Sequence, residues 1–555
     1  MSAPQSMHSK PFQNKIIYLG FIIVLLIPIY WLGNTANGFL ERKRTPDANI
    51  EDLGSDLGKN LDGEINMAAE TIRLGTFGLD GVAQMLLWQK ADEYKKKKDW
   101  TKLAATLNQL IMLNPHLESV WRFQGWNLAY NVSVEHDNYE ERYFWVKKGI
   151  KFLERGTEYN PRSIRVTWDV GWTTSQKISK SDERVFFRRL YRDDKDPNIT
   201  DPPIRMSRRD SWLVGKWWYK QAESLHVEKG VDLETISPTL FFSYAPLAQA
   251  YYADNLEQDG NFIYAGSASG NAGGASDGAQ MAWNQFNSEW KGFGELSLNS
   301  AFGEPMKLIE QEMQEELAEA KRKELDALDP GRYEYLVNIK RARLTQEERN
   351  ALNIPMEARS ADVQNIASAA EEKIKVSNDE WAQNLPMEKR QKGQQLAKEL
   401  DAANNQAKLI RRYRLIVNYQ YWDLRGELEK LPSIIEARKL AYEADKLYEN
   451  NELREAVSNY DRAFALWVEV INSEERFKNI LQEDLFASDL RSMYDKYVLI
   501  RTQDDPNLRE EDIRRTFPMK KVLETAPTDD GEVEKMRLRR EHNMKQGGYM
   551  PGKFI

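Results

Sequence analysis

The sequence predicts an all-α protein, in which an N-terminal transmembrane helix precedes an α-solenoid of paired helices with a long helical hairpin or coiled-coil-like insertion. Three observations predict this fold class. Ile16–Gly33 is an uncharged apolar run of 18 residues. Elsewhere apolar side chains recur at steps of three and four, the spacing of one helix face. Short motifs also recur 46 residues apart, which is typical of repeat proteins.

The composition limits the classes of function. The chain has 555 residues, of which 41% are hydrophobic, and a net charge of -8. That is enough apolar material for a large core of several domains. The slightly acidic balance gives no reason to expect nucleic-acid binding, which depends on basic surfaces. The absence of cysteine excludes disulfides, Cys-ligated zinc, iron–sulfur clusters and a thiol nucleophile.

The run Ile16–Gly33 is the predicted contact with a membrane. At 1.5 Å per residue it is at the short end of what crosses a hydrocarbon core of roughly 30 Å. Tyr18, Tyr30 and Trp31 lie near its ends, where amphipathic rings suit the interface. We expect an uncleaved single-pass anchor. The alternative is a signal peptide cleaved near Ala36–Gly38.

Orientation across the membrane follows weakly from the flanking charges. Lys10 and Lys15 precede the run, and three basic residues follow it at 42–44, so the positive-inside count is nearly balanced. A long domain behind an N-terminal anchor is commonly exported. The expected location is therefore a bacterial cytoplasmic membrane, with the C-terminal domain outside the cytoplasm.

Changes in composition and helix signals divide the chain into eight segments. They are an N-terminal tail 1–15, the anchor 16–33, a linker 34–62, helical repeats 63–200, an aromatic-rich helical region 201–304 with a Gly/Ser loop at 265–279, long helices 305–430, C-terminal repeats 431–500 and a charged, partly disordered tail 501–555.

Two local patterns support the helices of 305–430. Thr345 and Glu348 have the spacing of a capping box, in which each side chain satisfies a free backbone N–H at a helix start. A seam of apolar residues then continues over about four heptads and predicts a hairpin or coiled-coil contact. Its members are Leu396, Leu400, Ala403, Ala407, Ile410, Val417, Tyr421, Leu424 and Leu428, with Arg414 as the one exception.

A 46-residue duplication is the most informative repeat. Leu113–Pro115 recurs as Tyr159–Pro161, and the pair Gly125-Trp126 recurs as Gly171-Trp172. The two glycines have two interpretations. They lie where two helices cross closely, or they end helices with a positive φ. We expect alanine to be tolerated in the first case and destabilising in the second.

Helices at both ends of the chain resemble tetratricopeptide repeats, in which small residues let two antiparallel helices approach and large ones fill the next groove. The matching residues are Ala91, Tyr94, Trp100, Leu107, Leu110 and Pro115 in the first stretch, and Ala444, Leu447, Leu453, Ala456, Tyr460 and Ala463 in the second. The pattern departs at an insertion around 132–139 and at Val468, which replaces the closing proline. The resemblance implies a tetratricopeptide-like α-solenoid.

The whole chain also resembles bacterial membrane-anchored, tryptophan-rich tetratricopeptide-like proteins, a resemblance that implies no particular activity. Twelve of the sixteen tryptophans lie between Trp88 and Trp290. One interpretation makes them core residues that seal helix pairs. The other is a groove for an extended peptide or a glycan, lined by Trp121, Trp126, Trp168, Trp172, Trp217 and Trp218.

The catalytic and metal-binding motifs in the sequence are missing or incomplete. The chain has no His-Glu-x-x-His, and Gly266–Gly270 imitates a nucleophile elbow with Ala268 where the serine must stand. We therefore predict no catalytic residues, no metal and no cofactor. The expected function is a membrane-tethered repeat protein that binds other proteins and scaffolds an envelope assembly. The alternative is an envelope enzyme or glycan-binding protein that uses the tryptophan-rich region.

Overall fold

A computed structural model describes residues 80–196, 209–262, 278–301, 303–528 and 530–545. The chain forms two compact units that divide between Asp232 and Leu233. The predicted tail 1–15, anchor 16–33 and linker 34–62 lie outside the described residues, as does most of the Gly/Ser loop 265–279. The membrane location and its orientation therefore stay predictions.

The predicted fold class needs a correction. Within the described ranges, no helix is both long and apolar enough to cross a membrane. The physical reason is that apolar side chains share their helices with charged ones. Even the 21-residue helix Pro238–Gln258 carries Asp254 and Glu257. The all-α part of the prediction is confirmed, and a transmembrane helix is not part of the architecture that the structure shows.

The first unit contains seven helices in its described part. They are α1 (Asp80–Lys96), α2 (Trp100–Leu113), α3 (Glu118–Trp126), α4 (Tyr139–Tyr159), α5 (Ile164–Trp172), α6 (Arg184–Asp193) and α7 (Ser211–Val227). Polar side chains begin several of them: Asp99, Ser163 and Asp210 each accept a backbone N–H of the first turn of α2, α5 and α7.

These helices pack as successive pairs, α1 with α2, α3 with α4, and α5 with α7. Three apolar clusters fill the contacts between these helices. Fully buried Leu107 belongs to the first cluster, and fully buried Val146 and Val170 share the second. The sequence assigned α7 to a separate aromatic-rich region. In the structure α7 instead packs against α5 and completes the third pair. In the sequence, α6 and the residues after it separate these two helices.

The two copies of the 46-residue duplication show the same kind of close helix crossing, α3 with α4 and α5 with α7. A Cβ at Gly149 of α4 would lie 2.7 Å from the carbonyl oxygen of Gly125 in α3. A Cβ at Gly215 of α7 would lie 2.9 Å from the carbonyl oxygen of Gly171 in α5. Gly125 and Gly171 are inside helices without a positive φ. Both glycines therefore lie at close helix crossings, and the expectation for alanine needs a correction. The backbones approach so closely that a methyl group already collides, so alanine is not harmless.

The second unit has one two-stranded antiparallel sheet in its described part, β1 (Leu298–Asn299) with β2 (Pro305–Met306). Its helices are α8 (Pro238–Gln258), α9 (Ala279–Glu295), α10 (Gln311–Asp326), α11 (Arg332–Ala342), α12 (Gln346–Asn353), α13 (Ala361–Ile374), α14 (Asn378–Gln383), α15 (Arg390–Ile416), α16 (Tyr419–Glu429), α17 (Pro432–Glu449), α18 (Leu453–Ser473), α19 (Glu475–Asn479), α20 (Asp484–Asp504), α21 (Glu510–Thr516), α22 (Lys520–Thr525) and α23 (Asp530–Lys545).

The predicted seam packs within the chain, where α15 lies against α10. The two helices do not form a hairpin, because α11 to α14 lie between them in the sequence. The seam residues Leu396 to Ile410 are buried against α10, and the capping box of Thr345 and Glu348 is present at the start of α12. The seam is not one helix, however. Asn418 adopts a left-handed conformation (φ 50°), which ends α15 and turns the chain into α16. Arg414, the exception in the seam, reaches across to Glu312 of α10.

The C-terminal repeat residues pack as expected for a close helix pair. Ala444, Ala456 and Ala463 are fully buried where α17 meets α18, and Tyr460 donates to Asp445 of α17. In the first stretch Ala91 is buried, whereas Tyr94, Trp100 and Pro115 are half-buried. In the charged tail, α21, α22 and α23 continue helical structure to Lys545, and residues 546–555 lie outside the described ranges.

Candidate functional site

Three of the six tryptophans predicted to form a groove come together in the first unit, joined by a tyrosine. The ring centroids of Trp126 and Tyr130 are 6.0 Å apart, those of Tyr130 and Trp172 are 5.7 Å apart, and those of Trp172 and Trp168 are 6.3 Å apart. We call these four rings the aromatic row. It extends over the first helices of two successive pairs.

The aromatic row is anchored at one end and open at the other. Trp168 contacts the buried ring of Tyr219, whose hydroxyl is 3.1 Å from Ser175 Oγ. Trp126 is 41% exposed, and the other three rings are half-buried. The row packs on a buried ring at one end and is partly exposed to solvent. Such rigid rings can contact a partner with little loss of side-chain entropy.

The other three tryptophans do not join the row. Trp121 is 1% exposed, packs on Phe152 and Tyr159, and donates its indole N–H to the carbonyl of Pro115 at 2.8 Å. Trp218 is buried beside the Gly171 crossing, and Trp217 lies against it with ring centroids 4.8 Å apart. Trp121 and Trp218 are therefore core residues, and Trp217 is partly buried against the core.

Each half of the aromatic row adjoins a π-helical turn. Asn127–Val132 follows α3 and contains Tyr130, whereas Thr173–Lys177 follows α5 and starts directly after Trp172. The two turns begin at equivalent positions of the duplication. π turns are rare, and they occur frequently at functional sites. Because they hold more residues per turn, they change the direction of the side chains that follow.

Charged side chains lie beside the row. Arg122 Nε is 2.5 Å from Asp169 Oδ2, so an ion pair links the two repeats. Burial raises the pKa of Asp169, against the opposing effect of Arg122. Lys177 is 7% exposed, and its Nζ lies 5.0 Å from the centre of the Tyr130 ring. Burial lowers the pKa of Lys177, while the carboxylate of Glu183 opposes that shift.

Sequence reasoning missed Tyr130, Tyr219 and Lys177. Tyr130 had a usable signal, because it stands four residues after Trp126 and therefore on the same helix face. Lys177 had none, since nothing in its neighbourhood marks a buried lysine.

A second group that the sequence did not reveal is a charged network inside the second unit. We define it as Asp254 and Glu257 of α8, Arg425 and Glu429 of α16, Arg438 of α17 and Asp489 of α20. Arg425 Nη2 is 2.6 Å from Asp254 Oδ1, and Arg438 Nη2 is 2.5 Å from Glu429 Oε1. Glu429 is fully buried. Charged side chains are seldom buried unless they are paired. The six members of the network therefore join four helices tightly.

Rings cover the two guanidinium groups of the network. Arg425 lies over Trp283 and Trp422 at 5.1 and 5.5 Å from their centroids, and Arg438 lies over Trp467 at 5.1 Å. Aromatic faces attract cations, and this attraction strengthens where water is excluded.

Metal binding finds no support in the ranges that the structure describes, where no group of three or more His, Asp or Glu side chains is arranged to hold an ion. His136 Nδ1 is 3.2 Å from Glu141 Oε2, and the His136 ring stacks on Trp145. No protein-family model matches the chain, and no curated protein matches it.

Proposed function

We propose that this chain is a tetratricopeptide-like repeat protein that binds other proteins through the aromatic row and scaffolds an assembly, without a catalytic step of its own. One observation carries the proposal. Four large rings from two successive helix pairs form a continuous, partly exposed row, although each pair could have buried its own aromatics separately.

Large aromatic side chains are enriched at protein interfaces and supply much of the binding energy there. Trp126, at the open end of the row, is the residue best placed to act as such an anchor, because 41% of it is exposed. The π turns support the proposal, since they place Tyr130 between Trp126 and Trp172 and thereby make the row continuous.

The charge of Lys177 beside the aromatic row indicates which side chains the partner should carry. Lys177 presents a cation next to Tyr130, in surroundings where burial strengthens electrostatic attraction. An acidic side chain that packs on the row would be attracted by the charge of this buried ammonium group, and it would meet ring edges, which carry partial positive charge. We therefore propose an extended peptide that carries an acidic residue next to apolar ones.

Replacing Trp126 and Trp172 together by alanine is expected to weaken partner binding at least about tenfold, because a buried aromatic anchor typically contributes more than 1.4 kcal/mol. Affinity purification of the full chain identifies the partners, and titration of the isolated partner measures the loss. Trp88→Ala is a matched control, since Trp88 is equally exposed at 41% but lies outside the row. Equal binding by the row variant and the control would contradict the proposal, and binding of oligosaccharides in place of peptides would favour the glycan alternative.

Lys177→Met is expected to remove a preference for acidic peptides while leaving apolar contacts intact. A peptide array in which one position is Glu, Gln or Lys measures this preference. We expect the wild type to bind the Glu peptides best, and the variant to bind the Glu and Gln peptides equally. Lys148→Met, which removes a cation over Phe144 and Trp145 elsewhere in the unit, should keep the preference. Unchanged discrimination in Lys177→Met would exclude this lysine from the contact surface.

A further inference from the structure

We propose that the charged network of the second unit is a proton-binding site, that Glu257 holds the proton, and that loss of this proton loosens α8 from α16 and α17. The inference is independent of the proposed function, because it concerns other residues in the other unit.

The allocation of guanidinium donors identifies Glu257. Arg438 donates through Nη2 and Nε to the two carboxylate oxygens of Glu429, at 2.5 and 3.2 Å. Its Nη1 lies 2.5 Å from Asp489 Oδ2. Arg425 donates to Asp254 at 2.6 Å.

Glu257 receives no such donor of its own. Its Oε2 is 3.7 Å from Arg438 Nε, which already donates to Glu429, and its Oε1 accepts the neutral indole N–H of Trp283 at 2.7 Å. Its side chain is only 11% exposed. A carboxylate in this position would be a buried charge without a bonded cation, which is unfavourable unless it takes up a proton.

The balance of charges leads to the same residue. Four carboxyl groups face two guanidinium groups, so full ionisation would leave two negative charges in excess inside the unit. One proton halves this excess. The groups that act on Glu257 are Asp254 on its own helix, Trp283 of α9, Glu429 of α16 and Arg438 of α17. Arg425 of α16 and Asp489 of α20 act on the neighbouring Asp254.

The titration behaviour agrees with the geometry. Burial raises the pKa of Glu257 to about 8, and it raises the pKa of Asp254 to about 6. For Asp489, the two arginines outweigh burial and lower the pKa. The folded-state pKa of Glu257 exceeds its ordinary value of 4.5. The contribution of this group to stability is therefore fully present below pH 4.5. Its contribution to stability is lost progressively as the pH rises towards about 8.

Hydrogen–deuterium exchange of the full chain between pH 6 and 9.5, corrected for the intrinsic pH dependence of exchange, tests the proposal. We expect peptides from α8, α16 and α17 to lose protection with a midpoint near pH 8, together with a change in the fluorescence of the buried tryptophans. Glu257→Gln keeps the acceptor for Trp283 and cannot ionise, so this step should be absent. Glu427→Gln is the matched control: Glu427 lies on α16 but pairs with Lys291 and Arg476, and its substitution should leave the step in place.

A second variant keeps the test decisive if Glu257→Gln alters the fold. Trp283→Phe removes a hydrogen bond that favours the ionised carboxylate, so the midpoint followed by exchange should move to higher pH. The proposal is overturned if protection in α8 is constant between pH 6 and 9.5. It is equally overturned if the step persists in Glu257→Gln or moves to lower pH in Trp283→Phe.

Discussion

Replacing Arg438 by methionine is expected to lower the free energy of unfolding of the second unit by about 3–5 kcal/mol, the range for breaking a buried ion pair from one side. Methionine keeps much of the volume and the contact with the Trp467 ring. It leaves Glu429, which is fully buried, without its bidentate partner and removes the cation next to Asp489. The loss arises from uncompensated negative charge, not from a cavity.

Chemical denaturation followed by circular dichroism, with hydrogen exchange to locate the change, measures this effect. Arg476→Met is the control, because Arg476 is 53% exposed and pairs with Glu427 and Glu474 at the surface. Exposed pairs contribute roughly 0–1 kcal/mol. Adding Glu429→Gln to Arg438→Met should restore part of the loss. If the single variant costs no more than the surface control, the network does not stabilise this unit.

Gly149→Ala is expected to destabilise the first unit by about 1–3 kcal/mol, a typical cost of overpacking, and Gly149→Leu should cost more. The new Cβ would lie 2.7 Å from the carbonyl oxygen of Gly125 and 3.0 Å from the backbone nitrogen of Ala129. Backbone atoms cannot rotate away as a side chain can, so α3 and α4 must separate. The separation would also shift Trp126 and therefore the aromatic row.

The same substitution at Gly292 should have the opposite sign. Gly292 lies in α9, and a Cβ there meets nothing within 4 Å. Alanine is favoured over glycine in a helix by about 1 kcal/mol, so Gly292→Ala should be neutral or stabilising. Thermal melting of both variants gives the comparison. A Gly149→Ala protein as stable as Gly292→Ala would mean that the helices do not cross where the structure places them.

Local sequence patterns were enough to predict the helices and their closest contacts. The duplication placed Gly125 and Gly171 at equivalent crossings, the capping box placed the start of α12, and the seam from Leu396 to Ile410 placed α15 against a partner helix. These features depend on residues a few positions apart, or on an internal repeat that the chain itself reveals.

Features that depend on distant residues escaped prediction. Asp254 and Arg425 pair across 171 positions, and no spacing rule connects them. Glu257 looked like any other helical carboxylate, because the residues around it come from α9, α16 and α17, far away in the sequence. The π turns have no composition signal either. For the same reason the sequence could predict a tryptophan groove but not separate Trp126 from the buried Trp121.

The two π turns also bear on how the repeat arose by duplication. Each one accommodates additional chain within an otherwise α-helical segment, and both begin at the same position of the 46-residue unit. Two independent insertions at one position are a less economical explanation than one insertion that was later copied. One duplication of a unit that already contained its π turn accounts for both turns. On this explanation the helix irregularity is older than the aromatic row, which could form only once a second copy stood beside the first.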